Sequence, residues 1–240
     1  MLAKKISSLQ HPAVLHWSRL VQTKAYREEH KSLIITGEKL VKECAKRKIL
    51  KSFITTFENH FLPAEETYLV TPEILKKITA LPSPDGYAAE VFLPPPQDLS
   101  NTKYLLILDQ IFDPGNLGTL LRTAFALGWE GVALTPGTVD LFNDKALRAA
   151  KGATFLLPYT QATTEEIASW PHQLIVADMD GKGLTKSDYS PPLALILSHE
   201  SKGAALWPKS LKVAIPMRKE AESLNVAAAG AIFLYEMRPQ

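Results

Sequence analysis

Apolar positions along the chain fall in short runs separated by stretches of helical spacing. In the first third, residues 33–36, 52–56 and 67–70 read as strands, and residues 38–48 follow Gly37 with the three-and-four spacing of a helix. Pro72 stands where a first helical turn tolerates proline, so 73–78 continues as a helix until Pro82 and Pro84 end it. A small α/β fold is predicted there. The run LPPPQDLSN, residues 93–101, cannot continue a helix and favours extended geometry, which predicts a semi-rigid spacer. The expected organisation is a domain over 1–95, a proline-rich linker over 96–102 and a second domain over 103–240.

The second domain repeats the alternation more clearly. Apolar runs at 104–108, 132–134, 155–157, 174–177, 193–197 and 213–215 are separated by helical stretches. Strands apolar on both faces and interleaved with helices predict an α/β fold with a parallel sheet covered by helices on both faces. Such sheets bind ligands at the carboxyl ends of their strands, so candidate chemistry is sought in the loops that follow them.

Composition narrows the class. The 240 residues are 46% hydrophobic and 22% charged, a globular profile that excludes disorder. No apolar run has signal-peptide or membrane-spanning length, which predicts a cytoplasmic protein with no membrane partner. The single cysteine, Cys44, excludes an internal disulfide framework and a multi-thiolate metal site. The histidines and carboxylates form no compact ligand spacing, so no metal is assigned. Charge is uneven: residues 1–51 carry 12 Lys/Arg against 4 Asp/Glu, a local +8, and residues 52–240 carry 15 against 21, a local −6. A basic front suits a polyanionic partner, although a solvated helix face has the same composition.

Three loops carry candidate chemistry. The first, residues 109–129, joins a strand to a helix; Pro114 and Gly115 make the turn, Asn116 can cap the helix and Arg122 projects from it. No dinucleotide glycine fingerprint or phosphate-binding lysine loop occurs there. The second, ILSHESKGAALWP, places His199 and Glu200 beside Lys202 and Gly203. The third leads from a strand through a polar loop to a terminal helix with Ser223 and Asn225 at its entrance, where capping is an ordinary role. Small residues in NVAAAGAIFLYE permit a close helix or subunit contact.

Taken in order, DPGNLGTLLRTA, LSHESKG and IPMRKEAESLNVAAAGAIFLYE resemble the three motifs of the SpoU/TrmH RNA ribose 2′-O-methyltransferases, and NDKALRAAKGATFLLP resembles that family's stretch between the first two. The basic front half is similar to the small ribosomal-protein-like RNA-binding domain often fused ahead of the catalytic one. The resemblance implies S-adenosylmethionine as methyl donor, a structured rRNA or tRNA substrate, a homodimer through the C-terminal domain and a deep trefoil knot. It places Asn116, Arg122, Glu200, Ser223 and Asn225 in catalytic positions. Leu197, Ser198, His199, Glu200, Gly203, Ile215, Met217, Ser223, Leu224 and Asn225 are implied to wrap the cofactor. Ser198 and Ala227 depart from the glycine and serine common in the pattern. A non-catalytic RNA-binding or ribosome-assembly protein that keeps the same fold is the alternative reading.

Overall fold

A computed structural model describes residues 3–183, 189–198, 206–218, 220 and 222–239. The chain forms two compact units. The first comprises Met1–Pro94 with Phe142–Arg148, and the second Pro95–Leu141 with Ala149–Gln240.

The first unit runs β1 (Lys4–Ile6), α1 (Pro12–Gln22), α2 (Lys24–His30), β2 (Ser32–Thr36), α3 (Glu38–Lys46), β3 (Leu50–Thr55), β4 (Glu66–Val70), α4 (Pro72–Thr79) and β5 (Tyr87–Phe92). Its sheet has the order β1-β4-β3-β5-β2, with β5 antiparallel to both neighbours and the other pairings parallel. Helix α1 buries Val14, Trp17 and Leu20, a three-residue recurrence that lays one stripe on the sheet, and α4 adds Ile74, Leu75 and Ile78 to the same core. Thr71 caps α4 by accepting the Ile74 N–H, and Pro72 opens it as expected. Helix α3 stops at Lys46, two residues before the expected end. Lys48 adopts a left-handed turn at φ 58°, and its N–H closes on the Ala45 carbonyl, so the basic run turns the chain into β3.

One carboxylate lies inside this unit. Glu90 on β5 is 5% exposed and accepts the Trp17 Nε1–H at 3.2 Å, with Lys51 Nζ at 3.2 Å and His16 Nε2 at 3.4 Å. Burial pushes its carboxyl up, but the Ser32 hydroxyl, Lys51 and His16 outweigh burial and hold it below the usual carboxylate range.

The second unit runs β6 (Tyr104–Asp109), α5 (Pro114–Ala126), β7 (Gly131–Leu134), α6 (Asp144–Ala150), β8 (Tyr159–Gln161), α7 (Thr164–Ala168), β9 (Gln173–Gly183), β10 (Leu193–Ser198), β11 (Leu211–Ala214) and α8 (Val226–Glu236), although most of α6 clusters with the first unit. The sheet order is β11-β9-β10-β6-β7-β8 and every pairing is parallel, as the two-sided apolar runs predicted. Leu105, Ile107, Ala194, Ile196 and Val176 form one face with Ile167 of α7 and Trp207. On the opposite face α5 and α8 pack on each other, and α8 on β10. The β9–β11 register jumps from Val176↔Lys212 to Lys182↔Val213. At the return a Cβ on Gly181 would meet the Val213 backbone at 2.6 Å.

One expectation is corrected here, and another gains detail. Residues 155–157 are not a strand: Gly152, at φ 97°, opens a 3-10 turn over Ala153–Phe155, and the strand begins only after Pro158. The proline-rich run, expected as a semi-rigid spacer, is held by the second unit from Gln97 onward. The Gln97 N–H donates to the Tyr159 carbonyl, and Leu99, 3% exposed, packs where a Cβ on Gly131 would lie 2.8 Å from Leu99 Cδ1. Among the described residues no helix is long and apolar enough to cross a membrane.

Glu90→Gln is expected to lower the unfolding free energy at pH 7 by about 1–2 kcal/mol, read by urea denaturation. Because the folded carboxyl titrates below its unfolded value, this contribution is fully present above about pH 4.3. It is lost as pH falls through the folded-state value, so the gap between wild type and variant closes on acidification.

Candidate active site

The site begins at the entrance to α5. Asp113 is its N-cap: Oδ1 accepts the Asn116 N–H at 2.7 Å, and Pro114 occupies the first turn. The cap expected of Asn116 therefore belongs to Asp113, and the Asn116 side chain is released for another contact. Its Oδ1 accepts a hydrogen bond from Asn225 Nδ2 at 3.2 Å, across 109 residues of sequence. Asn225 also caps α8, its Oδ1 accepting the Ala227 N–H at 2.9 Å. One amide thus starts a helix with its oxygen and reaches the entrance of another with its nitrogen. Among the described residues the Asn116 NH2 and the second hydrogen on Asn225 Nδ2 have no other acceptor, leaving donors for a ligand.

The approach of the two helices depends on Gly230. A Cβ there would lie 2.3 Å from Leu120 Cδ2 on α5 and 2.7 Å from Leu197 Cδ1 on β10, inside any permitted contact. Both leucines are fully buried, so neither tip has free space to move into.

Parallel pairing puts the carboxyl ends of β6, β10 and β11 on one edge of the sheet. Ser198 ends β10 opposite Asp109, the last residue of β6. It keeps the extended register and is not among the positive-φ residues, so serine in place of glycine requires no left-handed backbone. Leu197 is core, its side chain lying against the α8 position of Gly230, which restricts it to backbone contacts with a ligand. Ile215 and Met217, half-buried, follow β11; Ser223 and Leu224 are exposed just ahead of α8. Nearby, the Asp180 N–H and Lys212, 3.1 Å away, hold the Asp178 carboxyl below its usual range. Arg122 is exposed on α5, about 9 Å along the axis from Asn116 and on a different face. Asn116 and Asn225 are in direct contact and Arg122 is not in contact with them. His199, Glu200 and Gly203 lie outside the described residues.

Sequence reasoning missed two aspartates. Asp113 carried a readable signal, because an acidic residue directly before proline is a helix-start pattern. Asp109, 2% exposed, reads as a strand terminus; its contacts with Thr135 and Trp207 come from distant segments. Among the described residues no group of three His, Cys, Asp or Glu side chains could hold a metal ion.

A parallel α/β sheet with amides and a hydroxyl gathered at its carboxyl edge defines an α/β ligand-binding domain. The chain belongs to the SpoU rRNA Methylase family, whose model matches residues 103–235. It is 33% identical over 251 residues to the 23S rRNA (guanosine(2553)-2′-O)-methyltransferase RlmP of Bacillus subtilis (strain 168), covering 98% of this chain and 99% of that protein. The crystal structure of an AdoMet-bound rRNA methyltransferase from Sinorhizobium meliloti superposes with a TM-score of 0.83 at 26% identity, covering 98% of this chain and 97% of that one. An RNA 2′-O ribose methyltransferase structure gives 0.78 at 27% identity, covering 97% of each chain.

Asn225 separates capping from reach. Asn225→Ala is expected to lose about 1 kcal/mol of stability with the cap. Asn225→Asp, an equally good cap that cannot donate to Asn116, is expected to lose only the interhelix bond, about 0.5 kcal/mol at this exposed position. Thermal unfolding of both variants checks this.

Proposed function

We propose that this chain is an S-adenosylmethionine-dependent methyltransferase acting on a ribose 2′-hydroxyl of structured ribosomal RNA, with residues 1–95 as its RNA substrate-binding domain. The meeting of Asn116 with Asn225 carries the reading, since it joins the first and third motifs of the family at one point. Full-length similarity to a protein named for 23S rRNA 2′-O-methylation supports rRNA over tRNA.

The residues present fit the cofactor. Asn116, Asn225 and Ser198 offer neutral polar atoms, and Ile215 and Met217 offer apolar surface for an adenine ring. When bound, the cofactor supplies a methyl group activated on a sulfonium. The chain's task is then alignment, and well-held reactants are worth up to roughly 7–11 kcal/mol. Asn116 and Asn225 orient the reactants through their remaining amide hydrogens. Arg122 stays charged at neutral pH and is a poor proton acceptor. Its guanidinium holds the RNA phosphate and stabilises negative charge on the ribose oxygen as the hydroxyl proton passes to water.

Two further features belong to the same reading. Ile232 and Tyr235 on α8 and Phe125 on α5 are large apolar side chains exposed on helices that carry the site, and they form the seam of a homodimer. A trefoil knot belongs to the same reading as an implication of the family resemblance, and a sheet with β10 between β9 and β6 and β11 outside β9 is compatible with it. The protein acts in the cytoplasm, where ribosomal RNA is modified.

Transfer of a tritiated methyl group to rRNA tests the function; labelled rRNA whose linkage 3′ to the methylated ribose resists alkaline cleavage is the expected product. RNA binding without any transfer would instead support the ribosome-assembly reading. Arg122→Lys keeps the charge but loses the planar fork, and is expected to lower the single-turnover rate by roughly 100-fold. Sedimentation velocity at micromolar concentration is expected to show a dimer, and Tyr235→Lys with Ile232→Lys to shift it to monomer.

A further inference from the structure

We propose that the buried carboxylate of Asp109, at the carboxyl end of β6, selects the charge state of the cofactor, favouring the sulfonium cation over the neutral thioether left after methyl transfer. The inference rests on the cofactor reading above.

Asp109 is 2% exposed. Its Oδ1 accepts the Thr135 hydroxyl hydrogen at 2.6 Å and its Oδ2 accepts the Trp207 Nε1–H at 3.0 Å. The Gln110 N–H donates to Thr135 Oγ1 at 3.2 Å, with Gln110 in a left-handed turn at φ 54°, which leaves the threonine proton for Asp109. The indole can only donate. Both carboxylate oxygens are therefore committed as acceptors, the role of the ionised group.

Each of these donors is neutral, and among the described residues no basic side chain lies within 4.0 Å of Asp109. Glu90 provides the contrast: it is equally buried but has Lys51 at 3.2 Å and His16 at 3.4 Å. Burying a carboxylate without a counter-charge is costly. The place where Asp109 does so is the ligand edge of the parallel sheet, opposite Ser198, where the described polar side chains Asn116, Asn225 and Ser198 are uncharged. Of the other described acids near this edge, Asp113 is exposed and screened by solvent, and Asp178 already has Lys212 at 3.1 Å as its counter-charge. A cation arriving at that edge is attracted by Asp109 through poorly screening protein interior, and the attraction ends when the methyl group, and with it the positive charge, has left. Asp109 thus favours entry of the donor and release of the product.

Calorimetric titration of the full chain with S-adenosylmethionine and with S-adenosylhomocysteine tests the assignment. Asp109→Asn is expected to shift the ratio of the two dissociation constants by about tenfold against the cation. A purely structural Asp109 would weaken both ligands alike, and an unchanged ratio in Asp109→Asn overturns the inference while leaving the cofactor reading intact. Failure of the wild-type chain to bind either ligand overturns both. Should Asp109→Asn not fold, wild-type protein is titrated with an analogue bearing an ammonium at the sulfonium position and with its uncharged methylene counterpart. A preference of about tenfold or more for the ammonium analogue is expected, and equal affinity overturns the inference.

Discussion

The hydrogen bond between Asn225 and Asn116 is the constraint on which the site's geometry turns, and it depends on a missing side chain. Both amides are near the surface, where such a bond contributes only about 0.5–1.5 kcal/mol and could not by itself bring two helices together. Packing does that. With hydrogen at the α-carbon of Gly230, α8 settles against Leu120 and Leu197 at a separation that any Cβ would prevent. The polar contact then reports on, and refines, an approach set by close-packed apolar surface.

Division of labour among caps makes that contact possible. If Asn116 had to satisfy the backbone at the start of α5, its oxygen would be unavailable to Asn225. Asp113 takes over that role. At α8 no such relief exists, and Asn225 does both tasks because an amide offers an acceptor and donors on one group. Asp109 extends the same economy: a strand-terminal carboxylate ties Thr135, beyond β7, and Trp207, ahead of β11, to the end of β6.

Much of the fold was legible as pattern. Runs apolar on both faces gave the parallel sheet, because only strands covered on both sides need them, and Pro72 marked the start of α4. Failures came where periodicity is silent. The apolar triplet 155–157 has strand composition, but the left-handed Gly152 commits its backbone to a 3-10 turn first. The length of α3 was overread because Lys48 leaves the helix through a left-handed turn, a conformation nothing in its side chain announces. Leu99 looked like part of a spacer, since burial against Gly131 is invisible until β7 is in place.

The order of the motifs and the residue types within them were decided by the sequence alone, as were the alternation of strands with helices and the family these imply, because each is a local or linear property. Which residues meet was decided only by tertiary structure. Asn116 and Asn225, or Asp109 and Trp207, become neighbours through strand order and through the exclusion of volume at Gly230. Steric fit between segments a hundred residues apart is a property of the packed chain, and no linear pattern encodes it.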